Sequence, residues 1–428
     1  MAQKVLYNNA GRTSEIALSP SSVDLGNVTN DLQIPKSIVT TKGDIITATD
    51  NATPVRQGVG SNGQIIVGDS NLANGLGYKD PAFRNWVING NFDIAQRGTS
   101  FTNPPAYTYT LDRWRTNSQP DGGTPPNITH TQEKLTPGDV PGSYYFYRIN
   151  VDGAGTSLGA GSYYQLVTYI EHATRKLAGL NKKVTLSLLA RSSIVNKKIG
   201  VLLAQDYGTG GSPSSQELKS GTNWTLTSEF AKYTHAFTTN TLVGKTFGTN
   251  NNDALILMIV YEWGSTFKAN VGADSAEDFV SSGNIDIAQV ALYAGDVAYP
   301  FEAVPFDIEL QRCMRYYEKS YNYDVYPGTA ATDGNSIFIP AGGNCWEGDY
   351  IFLETKYKVT KRIAGTPIIY DTAGTINKVT LSTNNTSATP NISGVVFSPT
   401  VNNFGCYGRT TNVAHRGIQY AWYVDADF

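Results

Sequence analysis

Residues 183–190 read KVTLSLLA and residues 254–261 read ALILMIVY. The first begins with period-two alternation, Val184, Leu186 and Leu188 falling on one side, and then turns wholly apolar. The second is apolar throughout and too short for a membrane span, so it predicts a buried strand. Ile199–Leu203 predicts another, and Asn284–Leu292 alternates again. Tyr163 and Tyr164 open a strand that runs into a short helix, with Leu166, Tyr169, Ile170, Ala173 and Leu177 as its stripe. The later segments 336–339, 350–353, 394–397 and 419–424 repeat the strand pattern between Gly/Asn turns. Many short strands joined by turns predict an all-β protein built on a β-sandwich of jelly-roll type.

Composition supports this. The 428 residues include 42 Gly, 19 Pro and 26 Tyr, while charged residues make up only 16%. Tyr, Asn, Ser and Thr must supply much of the polar surface, and Tyr presents a flat apolar face with a polar tip. A net charge of -3 leaves no electrostatic footprint for nucleic acid. No window reaches the ~20 apolar residues of a membrane span, so no membrane insertion is expected. The start, MAQKVLYNNAGRTSEIALS, lacks a secretory apolar core. Cys313, Cys345 and Cys406 are odd in number and far apart, which excludes a complete disulfide framework and fits a reducing cytosol.

Residues 83–102, FRNWVINGNFDIAQRGTSFT, predict a bent strand or hairpin. Trp86, Val87 and Ile88 are strand formers, Asn89-Gly90-Asn91 a bend, and Arg97-Gly98 a turn. Upstream, Gly43-Asp44-Ile45-Ile46 recurs as Gly63-Gln64-Ile65-Ile66 twenty residues on. Units this small are stable when stacked or wrapped with other chains; the alternative is a flexible linker. Within Phe306–Tyr321, residues Leu310, Cys313, Met314, Tyr317 and Tyr321 fall on one helical face, with Asp307 as N-cap.

Chemistry is sparse. His130, His172, His235 and His415 show no metal-ligand spacing, and Glu133 beside His130 adds no further ligand. No G-x-S-x-G elbow occurs. The Gly-rich run 206–213 lacks the G-K-[S/T] ending of a phosphate loop. Glu347 and Asp349, beside Trp346, share a strand face at i, i+2 as a glycosidase pair could, but so do countless solvated carboxylates. No catalytic residue, metal site or cofactor is assigned.

Several motifs resemble one family in order. FRNWVINGNFDIAQRGTSF with Tyr109–Arg115 (YTLDRWR) is similar to the opening of the carbohydrate-binding-module-like jelly roll in tailed-bacteriophage tail fibres. DYGTGGSPSS (206–215) resembles a turn of that domain and IDIAQVALYAGDVAYPFE (285–302) its closing strands. IELQRCMRYYEKSY (308–321) resembles the helix that follows, and the Gly43 and Gly63 repeats look like shaft repeats.

The resemblance implies an elongated homotrimeric receptor-binding fibre of a virion. Residues 1–35 would attach to a tail or baseplate protein, 36–82 form the shaft, and 83–305 the jelly roll. Residues 306–428 would be a connecting helix and a β-sandwich tip reading a bacterial surface polysaccharide or lipopolysaccharide. Assembly would occur in the host cytoplasm. Related jelly rolls often hold a structural calcium ion; Asp93 and Asp286 are the only tempting carboxylates here, and no bound ion is expected.

Sugar recognition needs aromatic faces and planar polar groups. The tip candidates are Tyr321, Tyr323 and Tyr326, Trp346 and Tyr350, and Tyr407 with Arg409; Trp346 and Tyr326, flanked by Gly and Pro, lead. Trp114 reads as core, with Asp112 and Arg113 pairing nearby. Trp224 and Trp263 stay open between core and a secondary sugar patch. The competing functions are a polysaccharide depolymerase with an inter-subunit site and a structural adaptor carrying another adhesin.

Overall fold

The computed structural model describes residues 4–9, 12–17, 36–51, 53–61, 64–79, 84–330, 337–340, 347–383, 387–411, 415 and 417–428. They fall into two compact units, Met1–Ala82 and Phe83–Phe428. The described residues of the first form three antiparallel hairpins: β1 (Lys4–Asn9) with β2 (Arg12–Ala17), β3 (Ile45–Ala48) with β4 (Pro54–Gln57), and β5 (Ile65–Gly68) with β6 (Leu76–Lys79). Ile45 and Ile65 open the second and third hairpins, so the sequence repeat is a hairpin repeat. Ile46, Val59, Ile65, Ile66 and Leu72 stay exposed, as expected of two-stranded units with too little sheet to bury them.

The second unit begins with β7 (Ser100–Thr102), β8 (Arg115–Gln119), β9 (Ile128–Lys134), β10 (Tyr145–Val151) and β11 (Tyr163–Glu171). After helix α1 (Ala173–Leu177) come β12 (Lys183–Ser192), β13 (Lys198–Asp206), β14 (Glu217–Thr225), β15 (Ala231–Thr238), β16 (Ala254–Trp263) and β17 (Gly283–Ala294). They form a six-stranded sheet, β15-β12-β17-β10-β9-β7, and a five-stranded sheet, β14-β13-β16-β11-β8, all antiparallel. Leu186, Leu188, Ile285 and Ile287 of one sheet share a core with Leu257, Ile259, Val201 and Leu166 of the other.

Strand β16 shows why ALILMIVY does not alternate. Its Leu255, Leu257 and Ile259 face the inter-sheet core, while Ala254, Ile256, Met258 and Val260 belong to a second cluster with Val271, Phe267 and Phe428. Both faces of the central strand are covered, so both must be apolar. Trp114 and Trp263 are fully buried, which settles Trp263 as core. Trp224 packs partly against the core, 5.4 Å from the Tyr233 ring.

The segment 84–98 is not the expected bent strand. It carries no strand residues and turns over 88–91, with Asn89 and Phe92 at φ 57° and 58°. It lies along the end of β17, beyond the last pairing with β10 at Ile287. There Trp86 N–H donates to Leu292 O (3.0 Å) and Val290 N–H to Gly90 O (2.8 Å). Asn89 replaces the missing ladder: its side chain donates to Ile94 O and Asp112 O and accepts from Ile94 N–H. Side-chain amides thus satisfy buried backbone that a strand would otherwise pair.

The helix α2 spans only Phe306–Met314, with Pro305, not Asp307, at its cap. Beyond it, Tyr317–Lys319 form β18, paired with the final strand, so tertiary pairing overrides the helical spacing at Tyr317 and Tyr321. The remaining strands are β19 (Ile337–Pro340), β20 (Tyr350–Lys356), β21 (Ile368–Tyr370), β22 (Lys378–Thr383), β23 (Ser387–Phe397), β24 (Asn403–Arg409) and β25 (Gly417–Asp425). They make an eight-stranded sheet in the order β18-β25-β22-β23-β24-β20, with β19 and β21 also on β25. It encloses Ile351, Leu353, Phe404, Tyr420 and Trp422.

The two sheet systems are tied by charge. Asp112 and Arg113 do not pair with each other. Asp112 accepts from Gln96 N and Nε2 (both 2.7 Å), and buried Arg113 pairs with Asp427. Arg97 reaches Asp427 at 2.8 Å and Asp425 at 3.0 Å, and Arg315 reaches Glu171 at 2.7 Å. Among the described residues no helix is long and apolar enough to cross a membrane.

One core carboxyl makes stability pH-dependent. Glu262 is fully buried; Ser162 Oγ donates to one oxygen (2.6 Å) and the other has no partner among the described residues. Burial raises it to about 7 from the ordinary 4.5, outweighing the Ser162 hydrogen bond. The folded state holds this proton more tightly than the unfolded chain. The resulting stability is complete below about 4.5 and lost as pH rises through about 7. Glu262→Gln, a permanently neutral isostere, should therefore melt with the wild type at pH 5 and a few degrees above it at pH 8. Parallel pH curves for the two proteins would refute this.

Candidate functional site

Strand β20 reads YIFLETK and alternates cleanly: Tyr350, Phe352 and Glu354 are exposed while Ile351, Leu353 and Thr355 are buried. Its register with β24 sets Tyr350 opposite Arg409, Phe352 opposite Tyr407 and Glu354 opposite Gly405. On the other edge of β24, Val395 and Phe397 of β23 oppose Tyr407 and Gly405. Three neighbouring strands therefore bring Tyr350, Phe352, Tyr407, Phe397, Val395 and Arg409 to one outward face.

The rings form a connected group. Tyr407 lies 5.2 Å from Tyr350, 5.2 Å from Phe352 and 5.9 Å from Phe397, and Phe352 lies 5.9 Å from Phe397. Phe397 drops over Gly405, where a Cβ would sit 2.2 Å from its ring, so only glycine lets the ring lie down. Phe352 is 62% and Tyr350 51% exposed. Single exposed apolar side chains are ordinary, but a contiguous ring cluster marks a contact surface. At one end the Arg409 guanidinium sits 6.0 Å from the Tyr350 ring centre and its Nε donates to Gly348 O (3.2 Å). At the other, Asn403 Nδ2 donates to Glu354 (2.6 Å). From Tyr350 to Glu354 the face runs about 13 Å.

Of the sequence candidates, Tyr350, Tyr407 and Arg409 come together here. Trp346 lies outside the described residues. Tyr323 is no surface reader: its hydroxyl accepts Ala95 N–H (2.8 Å) and donates to Asp93 O (3.1 Å), bolting the loop after β18 onto the segment 93–95. Tyr326 is half-buried beside Lys319, whose Nζ donates to Gln96 O, Tyr323 O and Val325 O at 2.7–2.9 Å. Tyr321 is buried, its hydroxyl taken by Gly328 N–H. That loop holds the protein together, and its rings do not meet the Tyr350 cluster. Phe352 and Phe397 complete the face without being among the sequence candidates. The i, i+2 spacing from Tyr350 signals Phe352, whereas Phe397 depends on strand pairing.

Glu347 lines an open cleft of about 490 Å³ with Gly348, Arg409, Thr410 and Thr411 beside this face, and Asp349 does not line it. The two carboxylates tempting for calcium are apart in role: Asp286 receives Arg148 (2.7 and 2.9 Å) and Arg191 (2.8 Å). Burial raises Asp93 to about 6. Among the described residues no group of three or more His, Cys, Asp or Glu is placed to hold a metal ion.

No family model and no curated protein sequence matches the chain. Its structural neighbours include the enzymatically active domain of bacteriophage CBA120 tailspike protein 4, 12% identical over 50% of this chain and 22% of that one, TM-score 0.27. A carbohydrate-binding module, TmCBM61, solved with β-1,4-galactotriose, is 11% identical over 49% of this chain and 99% of its own, TM-score 0.25. The family 11 carbohydrate-binding module of a Clostridium thermocellum cellulosomal cellulase is 10% identical over 46% and 97%, TM-score 0.24. None of the three carries a ligand or an activity over to this chain.

Proposed function

We propose that this chain is a non-enzymatic adhesin of the phage tail-fibre kind. It grips a bacterial surface polysaccharide or lipopolysaccharide through the face built by Tyr350, Phe352, Phe397, Tyr407 and Arg409. The exposed aromatic cluster on β20, β23 and β24 carries the reading. Rings offer apolar faces to the C–H faces of sugars, and Arg409 and the Glu354–Asn403 pair stand at the two ends for hydroxyls. The exposed Ile46, Ile65 and Ile66 of the hairpin repeat are what a homotrimeric shaft would cover, with residues 1–35 engaging a tail or baseplate protein. Three copies on one fibre would raise avidity by ~10²–10⁴ over a weak single site. Assembly in a reducing host cytoplasm would keep buried Cys313 and Cys406 as thiols.

The test is Phe352→Ala combined with Tyr407→Ala. Retention on polysaccharide from a susceptible strain should fall about tenfold or more, the loss of ~1.4 kcal/mol or more per site, with an unchanged melting profile. Unchanged retention would sink the assignment, and a changed oligomeric mass would make the face a subunit contact instead. Polysaccharide length should be unaltered on incubation; shortening would favour the depolymerase reading.

A further inference from the structure

A second site lies in the jelly roll, where a cavity of about 340 Å³ opens between the edge strand β8 and strand β9. Its floor is His130, Tyr164 and Tyr261, residues only 2%, 6% and 1% exposed. Buried polar groups ordinarily find partners. Here the one side-chain hydrogen bond of His130 within the described residues is made through Nδ1, the Tyr164 and Tyr261 hydroxyls make none there, and all three residues line the cavity. His130 is held from behind: its Nδ1 lies 3.0 Å from Tyr147 OH, which lies 2.7 Å from Thr110 Oγ1. Burial keeps the imidazole neutral, down to about 3, and pushes the Tyr164 phenol up to about 12.

The wall chemistry narrows the ligand. Among the described residues no charged one lines the cavity, which disfavours anions and cations alike. Pro104, Pro125, Pro126 and Ile128 supply apolar wall, and Thr116 and Ser118 supply hydroxyls. The rim is braced, since Asn103 Nδ2 donates to Asn127 Oδ1 (2.7 Å) and Ile128 N–H to Asn103 Oδ1 (2.8 Å). A tyrosine hydroxyl both donates and accepts, and the imidazole presents one or the other according to its tautomer. A ligand hydroxyl can answer either. The volume sits at the lower end of the ~300–1,000 Å³ of small-molecule sites.

We infer that this cavity is a binding pocket for one neutral saccharide unit, seated on His130, Tyr164 and Tyr261. The sugar class rests on the glycan-binding reading, whereas the pocket and its three floor residues do not.

The test titrates the full chain with the methyl glycosides of galactose, glucose, mannose and N-acetylglucosamine, followed by saturation-transfer NMR. One of the four should bind with a Kd on the order of millimolar. Tyr164→Phe with Tyr261→Phe should weaken it about tenfold or more while leaving the melting temperature equal or higher, because no internal hydrogen bond is lost. Ser118→Phe, which adds a ring to the cavity wall and keeps all three floor groups, should abolish it, and Phe352→Ala should leave it unchanged. Absence of saturable binding by all four sugars overturns the proposal, as does binding indifferent to both pocket variants. Binding that responds only to Phe352→Ala overturns the pocket but leaves the aromatic face standing. Pocket binding with unimpaired adhesion of the Phe352/Tyr407 variant does the reverse.

Discussion

Gly90→Ala is expected to destabilise the second unit by about 3 kcal/mol, the upper end for forcing one methyl into packed structure, while Gly153→Ala leaves stability unchanged. A Cβ at Gly90 would lie 2.0 Å from Val290 O and 3.1 Å from its carbonyl carbon, whereas one at Gly153 meets nothing within 4 Å. The obstacle at Gly90 is backbone, which cannot swing aside as a side chain can. That same contact carries the Val290 N–H to Gly90 O hydrogen bond (2.8 Å), and Val290 O receives Asn85 Nδ2 (3.1 Å). Relief of the clash must therefore break at least one of these links between the 84–98 segment and β17. Because the Trp114 indole donates to Asn89 O (2.9 Å), tryptophan emission should shift with the loss. Denaturant unfolding of both variants decides the matter: a Gly90→Ala midpoint matching that of Gly153→Ala would show that the segment can move away at no cost.

The same segment marks where sequence patterns stop reporting structure. The central strands were legible because burial on one or both faces imposes a period, as ALILMIVY and YIFLETK show. Residues 84–98 have strand-like composition, but their hydrogen bonds are divided among β17, Asp112, Tyr323 and the side chain of Asn89, and most of those partners lie outside any local window. The helical face Leu310 to Tyr321 was real only to Met314, because β25 offered Tyr317–Lys319 a better partner. Among the sugar candidates, residue type was readable and role was not. Tyr323 and Tyr350 are equally aromatic, yet the Tyr323 hydroxyl finds two backbone partners among the described residues and the Tyr350 hydroxyl none. Phe397 joins the aromatic face only through its register with Gly405. The jelly-roll pocket was invisible for the same reason: residues 130, 164 and 261 share no spacing, and the sandwich alone converges them.

Lys361→Met should be at least as damaging, costing about 3–5 kcal/mol, the usual result of removing one partner from a buried ion pair. Lys361 and Glu318 are both fully buried, with Nζ 2.6 Å from Oε2, and Nζ also donates to Met314 O. Burial pulls the ammonium below its ordinary value while Glu318 opposes that pull, so the charged pair stands only because both members are present. Methionine fills similar volume and leaves Glu318 with two amide donors, Lys358 N–H at 2.9 Å and Val359 N–H at 3.4 Å, but no counter-charge. Substituting both members, Lys361→Met with Glu318→Leu, removes the stranded carboxylate together with its desolvation cost. The double variant should therefore lie closer to wild type than Lys361→Met alone, with a coupling of roughly 1–3 kcal/mol between the two sites. If the two losses simply add in denaturant unfolding, the pair does not act as a unit. The link from α2 through β18 to the 357–361 loop would then rest on packing and backbone hydrogen bonds instead.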